Sequence, residues 1–593
     1  MAELRKREDI KEEYKWDTSA LYKDDKEWEK EFKVLSDSMN FLDKYKGALK
    51  DRKLLLEALK ENDLYMQKIE RLIIYAHMKK DTDTSDPVYQ SMYNRIENLY
   101  MNFSASSSFF LPELTSLSEK ELSEISVDPE FSDYDYYFRT LLRQKKYILS
   151  EKEEKILALS AETASGYHNA FEVFDNVELP LPKIKNEKGE REQLSHARYS
   201  FFLMGKNREV RKAAFKGMFG AYKKMLNTVT AIYAGNVKKD VFYTRARGYK
   251  SCLEKALYNE DVDKSVYLNL VESVKKGLPA LHEYMGWRKQ ELGVEKLHMY
   301  DLHTPVVQDF ELKLPYEEAC RTVKEALSVL GGDYTALLDR AFNEKWIDVY
   351  ENKGKRSGAY STSAYLAHPY VLLNYEESTH DVFTIAHELG HALHSYYSAE
   401  NQPYSKADYT IFVAEVASTV NEVLLLKHLL KTEKSAEAKK FLLTYYLDMF
   451  RTTLFRQTMF AEFELEAHRL QEKGIPLTRE NLCKYYYKLN KKYYGKEVFH
   501  DKEIQYEWAR IPHFYTAFYV YKYATGLTSA VTIAERILNE KGAVEDYKKF
   551  LSSGGKDSPV ELLKIAGADL SKPETFENAM KVFENTLKEL KSL

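Results

Sequence analysis

Within the run Asp381–Ala399 (DVFTIAHELGHALHSYYSA), His387 and His391 stand four residues apart with Glu388 between them. That spacing suits one α-helix. At i and i+4 two side chains diverge by about 40° around the axis, with Cβ atoms roughly 5–6 Å apart, so both imidazoles can reach one ion at about 2.0–2.1 Å. The surrounding residues agree with a helix: Asp381 is an acid at its start, Val382, Ile385, Ala386, Leu389 and Leu393 form an apolar stripe, and no proline intervenes before Pro403. Gly390 adds a geometric condition. Glycine within a helix costs up to about 1 kcal/mol relative to alanine, so its place between the two histidines implies that another element packs closely there.

The arrangement His387-Glu388-x-x-His391 is that of a zinc peptidase centre carried on one helix. Glu388, about 80° from the bisector of the two histidines, is badly placed to ligate and well placed to take a proton from water at an open zinc position. A catalytic zinc needs a third protein ligand. His394 shares the helical face, but by then the helix has risen about 10 Å past His387, too far for one ion to join all three, so it reads as a supporting or packing residue. Glu415 lies in a second apolar helical pattern, residues 411–430, where a carboxylate among Phe412, Val413, Ala414 and Val416 calls for a partner that a metal would supply. Glu422, on the same face seven residues on, is placed either to orient a ligating histidine through its other ring nitrogen or to sit solvated.

No competing catalytic apparatus is visible. Cys252, Cys320 and Cys483 lack local signatures, and neither a G-x-S-x-G elbow nor a phosphate-binding glycine loop is present. Formal charge is −4 from 88 basic and 92 acidic residues, well mixed, which leaves no footprint for nucleic acid or an anionic membrane. Runs such as Glu151–Lys155 read as solvated helix faces. The odd number of cysteines and the charged segment Met1–Trp16, without an apolar core, point to a cytoplasmic protein; no run of about 18 apolar residues suggests a span.

Only 23 Gly and 14 Pro in 593 residues indicate a mainly α-helical chain, long enough for at least two lobes. Helical periodicity covers 25–110, with a fresh start at Asp86-Pro87; a hairpin is expected within Leu179–Ser195, turning at Asn186–Gly189; Asn207 reads as an N-cap and Gly331-Gly332 as a break. Gly358–Ser361 and Tyr370–Asn374 read as short strands just before the motif helix. They offer either an edge for a peptide backbone or a buried hairpin.

The spacing from HELGH to Glu415 in FVAEVAS resembles the thimet oligopeptidase family (M3) of zinc peptidases, closest to its bacterial oligoendopeptidase F branch. The likeness takes in Arg356–Ser378 (RSGAYSTSAYLAHPYVLLNYEES) and Tyr506–Gly526 (YEWARIPHFYTAFYVYKYATG), and more weakly Asn207–Phe215 back towards Leu111–Ser160. It implies one zinc ion per chain held by His387, His391 and Glu415, with Glu388 as general base. It further implies a transition-state group at His513 and a tyrosine among Tyr515, Tyr519, Tyr521 and Tyr523. Tyr515, Tyr519 and Tyr523 would share a face if one helix carried them; Tyr519 and Tyr515 are the first candidates. The implied fold is a mainly α two-lobed peptidase enclosing a deep substrate channel, with a small β-sheet beside the zinc helix. The expected regions are an N-terminal helical region at 1–110, an oligopeptidase F-type segment with a hairpin at 111–195, and a catalytic domain at 196–593. The expected activity is cleavage of internal bonds in short peptides. A peptidyl-dipeptidase of the same family is the nearest alternative, and a non-catalytic helical peptide-binding protein a remote one. Oligomeric state is not legible.

Overall fold

Long amphipathic helices dominate the computed structural model, which describes residues 4–307, 310 and 312–593. The first three residues of the charged N-terminal segment lie outside the described residues. The chain divides into two compact units, each built from three separated stretches.

The first unit comprises Met1–Ile148, Glu311–Leu429 and Ile533–Ala568. Its N-terminal part is helical as the periodicity requires. Helices Asp25–Asp37, Arg52–Thr82 and Pro87–Ser106 bury Trp28, Leu55, Ile69, Leu72, Ile96 and Phe103 in one core. The expected start at Asp86-Pro87 is realised, with the Val88 N–H donating to Asp86 Oδ1 at 2.8 Å and Pro87 at a position that needs no donor. Tyr370 and Leu372 of a small sheet complete this core.

That sheet has three strands. Tyr360–Thr362 pairs antiparallel with Tyr370–Leu372 in the register Tyr360 to Leu372 and Thr362 to Tyr370, and the central Tyr370–Leu372 pairs parallel with Ile347–Asp348. Both expected strands are present, the first shifted to Tyr360–Thr362 and the second shortened to Tyr370–Leu372; the third, only two residues long, has no periodicity to betray it. Tyr370–Leu372 is buried throughout, whereas Tyr360–Thr362 is a half-buried edge. Both pack on the motif helix. The N-terminal segment is tied to the same sheet: Val349 N–H donates to the Tyr14 carbonyl, and Arg7 and Lys355 both pair with the buried carboxylate of Asp348.

The second unit comprises Leu149–Phe310, Leu430–Thr532 and Asp569–Leu593. Its framework is the helices Leu226–Ala246, Lys264–Glu291, Arg456–Glu472, Arg479–Tyr494 and Pro573–Ser592. The expected hairpin is present as Lys183–Lys185 against Arg191–Gln193, turned by Gly189 at φ +80. Asn207 caps the helix Arg208–Lys224 by accepting from Glu209 N.

Candidate active site

The motif helix spans Thr379–Asn401 and begins with a capping box: Ser378 Oγ accepts from Asp381 N at 3.2 Å while Asp381 Oδ2 accepts from Ser378 N at 3.0 Å. The stripe Val382, Ile385, Ala386, Leu389 and Leu393 is fully buried, which turns the opposite flank, with His387 and His391, outward from the core.

The second helix, Ile411–Thr432, lies against it backbone to backbone. A Cβ built on Gly390 would fall 2.5 Å from Ser418 Cα and 2.7 Å from the Ala417 carbonyl oxygen, so only glycine permits this approach. Asn421 pins the pair by donating to the Ala386 carbonyl at 3.0 Å and accepting from the Tyr334 hydroxyl at 3.1 Å. This contact is the close packing that a helical glycine implies, and it carries Glu415 to the two histidines.

The Nε2 atoms of His387 and His391 are 3.2 Å apart. Glu415 Oε2 is 3.4 Å from the first and 3.6 Å from the second. Ligand atoms around one tetrahedral zinc at about 2.0–2.2 Å stand roughly 3.3–3.6 Å from one another, so two imidazoles and a carboxylate are spaced much as such a site requires. It is the only His, Cys, Asp and Glu group of this kind among the described residues. Glu422 accepts a hydrogen bond from His387 Nδ1 at 2.5 Å, which fixes the ring and leaves Nε2 as the coordinating atom.

Electrostatics follow from this crowding. Burial pulls the His387 imidazolium down, but hydrogen bonds to Glu415 and Glu422 override it and raise its pKa to about 10. Glu415 is held far below the usual carboxylate range by hydrogen bonds from His387 and His391. Without a metal His387 and Glu415 thus face each other as an ion pair. Glu388 is buried, 7 % exposed, and burial raises its pKa against the lowering effect of His387 and His391. His394 takes no part: its ring stacks on Tyr409 at 3.8 Å, and burial drives its pKa down to about 3.

The remaining expected residues lie in the second unit, where three of them meet. His513, in the short turn Pro512–Tyr515, stacks on Tyr519 with ring centroids 5.6 Å apart and planes within 8°, and the Tyr523 hydroxyl is 3.1 Å from His513 Nε2. The helix begins only at Tyr521, so the shared helical face expected for Tyr515, Tyr519 and Tyr523 does not exist. Tyr515 is instead buried, stacked on Phe171 at 4.2 Å. Tyr521 faces the other way and donates to Glu260 at 3.1 Å.

Residues 201–582 match the family model of peptidase family M3, and residues 113–180 that of oligopeptidase F. The chain is 42% identical over 594 residues to oligopeptidase PepF of Bacillus subtilis, covering 100% of this chain and 89% of that protein. It is 40% identical over 598 residues to an oligoendopeptidase F homolog of Lactococcus lactis, covering 99% and 98% of the two chains. Among solved structures, oligoendopeptidase F from Enterococcus faecium superposes with a TM-score of 0.74 at 37% identity, covering 96% of this chain and 99% of that one. The chain belongs to peptidase family M3, in its oligoendopeptidase F group, and is a metallo-oligopeptidase.

Proposed function

We propose that the chain is a cytoplasmic zinc endopeptidase that cuts internal bonds of short oligopeptides. The observation that carries the metal reading is the separation of the three ligand atoms, 3.2, 3.4 and 3.6 Å, with Glu422 backing one of them. His387, His391 and Glu415 would hold the ion. A zinc ion held there would supply Lewis acidity, the chemistry that makes water acidic at neutral pH. Glu388, one residue from the first ligand, takes the proton of the attacking water and passes it to the leaving amine. Its burial favours proton uptake, as a general base at neutral pH needs.

His513 and its tyrosine partners supply hydrogen-bond donors for the oxyanion. Tyr523 and Tyr519, which touch His513, are the better candidates, and Tyr515 the poorer. The edge strand Tyr360–Thr362, packed on the motif helix, offers backbone groups to an extended peptide, which gives affinity with loose side-chain selectivity. A cytoplasmic setting is supported by three buried cysteines that form no disulfide. Among the described residues no helix is long and apolar enough to cross a membrane.

Three measurements test the reading. Chelation is expected to abolish hydrolysis and one equivalent of zinc to restore it; Glu388→Gln is expected to keep zinc and lose turnover. Peptides blocked at both termini are expected to be cut. Activity in metal-free protein would reject the metal, turnover near normal in Glu388→Gln would reject the base, and inertness of blocked peptides would favour a peptidyl-dipeptidase.

A further inference from the structure

The chain entering the Tyr521–Asn539 helix makes a turn that its local sequence does not call for. Phe518 occupies the left-handed region at φ +55, where a bulky side chain is strained unless the surroundings hold it. Its ring is buried between His468, at 4.7 Å, and Tyr267, at 5.8 Å. Its backbone N–H donates to Glu464 Oε1 at 2.7 Å.

Glu464 comes from the helix Arg456–Glu472 and is completely buried. Its second oxygen, Oε2, has no hydrogen-bond partner among the described residues. His468 does not serve it, since Nδ1 bonds to the Glu464 main-chain carbonyl at 2.9 Å and Nε2 to Asp240 at 3.3 Å. A half-satisfied buried carboxyl group is costly, and an apolar side chain would fill the space more cheaply. Packing alone therefore does not account for a glutamate here. The turn it secures does have a consequence: Tyr519 follows Phe518 directly and is delivered flat against His513, with Tyr523 reaching Nε2 from the first turn of the helix.

We propose that Glu464 is a positioning residue for the group His513, Tyr519 and Tyr523, acting through the backbone of Phe518. The inference rests on the reading that this group serves the transition state. Burial raises the Glu464 carboxyl to about 8, against the opposing effects of His468 and the Phe518 N–H, so the side chain needs only a neutral acceptor to do this work.

The test compares Glu464→Gln, which keeps an acceptor oxygen, with Glu464→Leu, which removes it; Glu464→Met serves if the leucine variant does not fold. Two readouts are taken on the zinc-loaded full chain: steady-state kinetics on a blocked peptide, and amide hydrogen exchange of the segment 511–520 beside that of the helix Tyr521–Asn539. The glutamine variant is expected to keep kcat within about threefold. The leucine variant is expected to lose roughly 10–100-fold in kcat with KM and zinc content unchanged, and to speed exchange in 511–520 alone, because a displacement near 1 Å costs about that much. Unchanged exchange and kcat in the leucine variant would overturn the proposal, as would equal losses in both variants. Faster exchange at 511–520 without loss of kcat, together with full activity in His513→Ala, would retain the latch and reject the catalytic reading of His513.

Discussion

Gly390→Ala isolates the contact on which the metal site depends. The added methyl would meet Ser418 Cα at 2.5 Å and two further backbone atoms at 2.7 and 2.8 Å. Carbon atoms pack best at about 3.5–4.0 Å, so relief needs a shift of roughly 1 Å between two helices whose backbones cannot rotate away as a side chain would. Overpacking of this kind costs about 1–3 kcal/mol, against a gain of up to about 1 kcal/mol from replacing a helical glycine, so the clash wins. The larger effect falls on zinc. Ligand distances must hold to within about 0.2 Å, and the shift moves Glu415 relative to both histidines by several times that, so affinity is expected to fall by at least 10–100-fold, about 1.4–2.8 kcal/mol. Competition with a chromogenic chelator measures the affinity, and thermal melts with and without zinc measure the stability. Gly220→Ala is the control: within the helix Arg208–Lys224 its Cβ meets nothing within 4 Å, so it should stabilise by about 0.5–1 kcal/mol. Wild-type zinc affinity in Gly390→Ala, or a rise in stability matching the control, would refute the argument.

Glu422→Gln removes the charge behind His387 while keeping its shape, and zinc affinity should drop about 10–100-fold by chelator competition, with residual turnover at saturating zinc. His513→Ala should lower kcat by roughly 10²–10³-fold with KM little changed; Tyr523→Phe or Tyr519→Phe should follow it, whereas Tyr515→Phe and Tyr521→Phe should not, as steady-state kinetics will show. Metal uptake should release a proton from His387. Its folded, metal-free pKa is raised to about 10, so the imidazolium persists in the folded protein until pH nears 10, and the stability that its pairing contributes is full below about 6.5 and lost as pH rises through about 10. Apparent zinc affinity should therefore climb with pH across that window, and calorimetry in buffers of differing ionisation enthalpy counts the proton.

What could be read from the sequence was what local physics writes there. The cap at Asp86-Pro87, the turn at Asn186–Gly189 and the N-cap Asn207 each depend on residues within a few positions, and each is present in the structure. Gly390 is more instructive: its cost in a helix announced a close neighbour without naming it, and the neighbour is the backbone at Ala417 and Ser418. Glu415 announced itself in the same way, as a carboxylate among apolar residues, and stands 3.4 Å from His387. By contrast, Arg7 and Asp348 are 341 positions apart, and nothing in a charged N-terminal segment distinguishes a residue that clamps a sheet from one that faces water.

The tyrosines mark the limit of such reading. Spacing at i+4 unites side chains only where a helix exists, and the pattern Tyr515, Tyr519, Tyr523 says nothing of a left-handed residue at 518. No propensity favours Phe518 in that conformation; a carboxylate 54 positions earlier in the chain holds its N–H there. Once the helix begins at Tyr521, the three tyrosines separate: Tyr515 falls into the aromatic core, Tyr519 stacks on His513 from the turn, and Tyr523 reaches the same imidazole from the helix. Two of the three still converge on His513, but through a turn imposed by tertiary contact rather than through helical periodicity. A site assembled this way is legible only where the strained residue and its distant partner are seen together, because neither Phe518 nor Glu464 carries a local signal of the other.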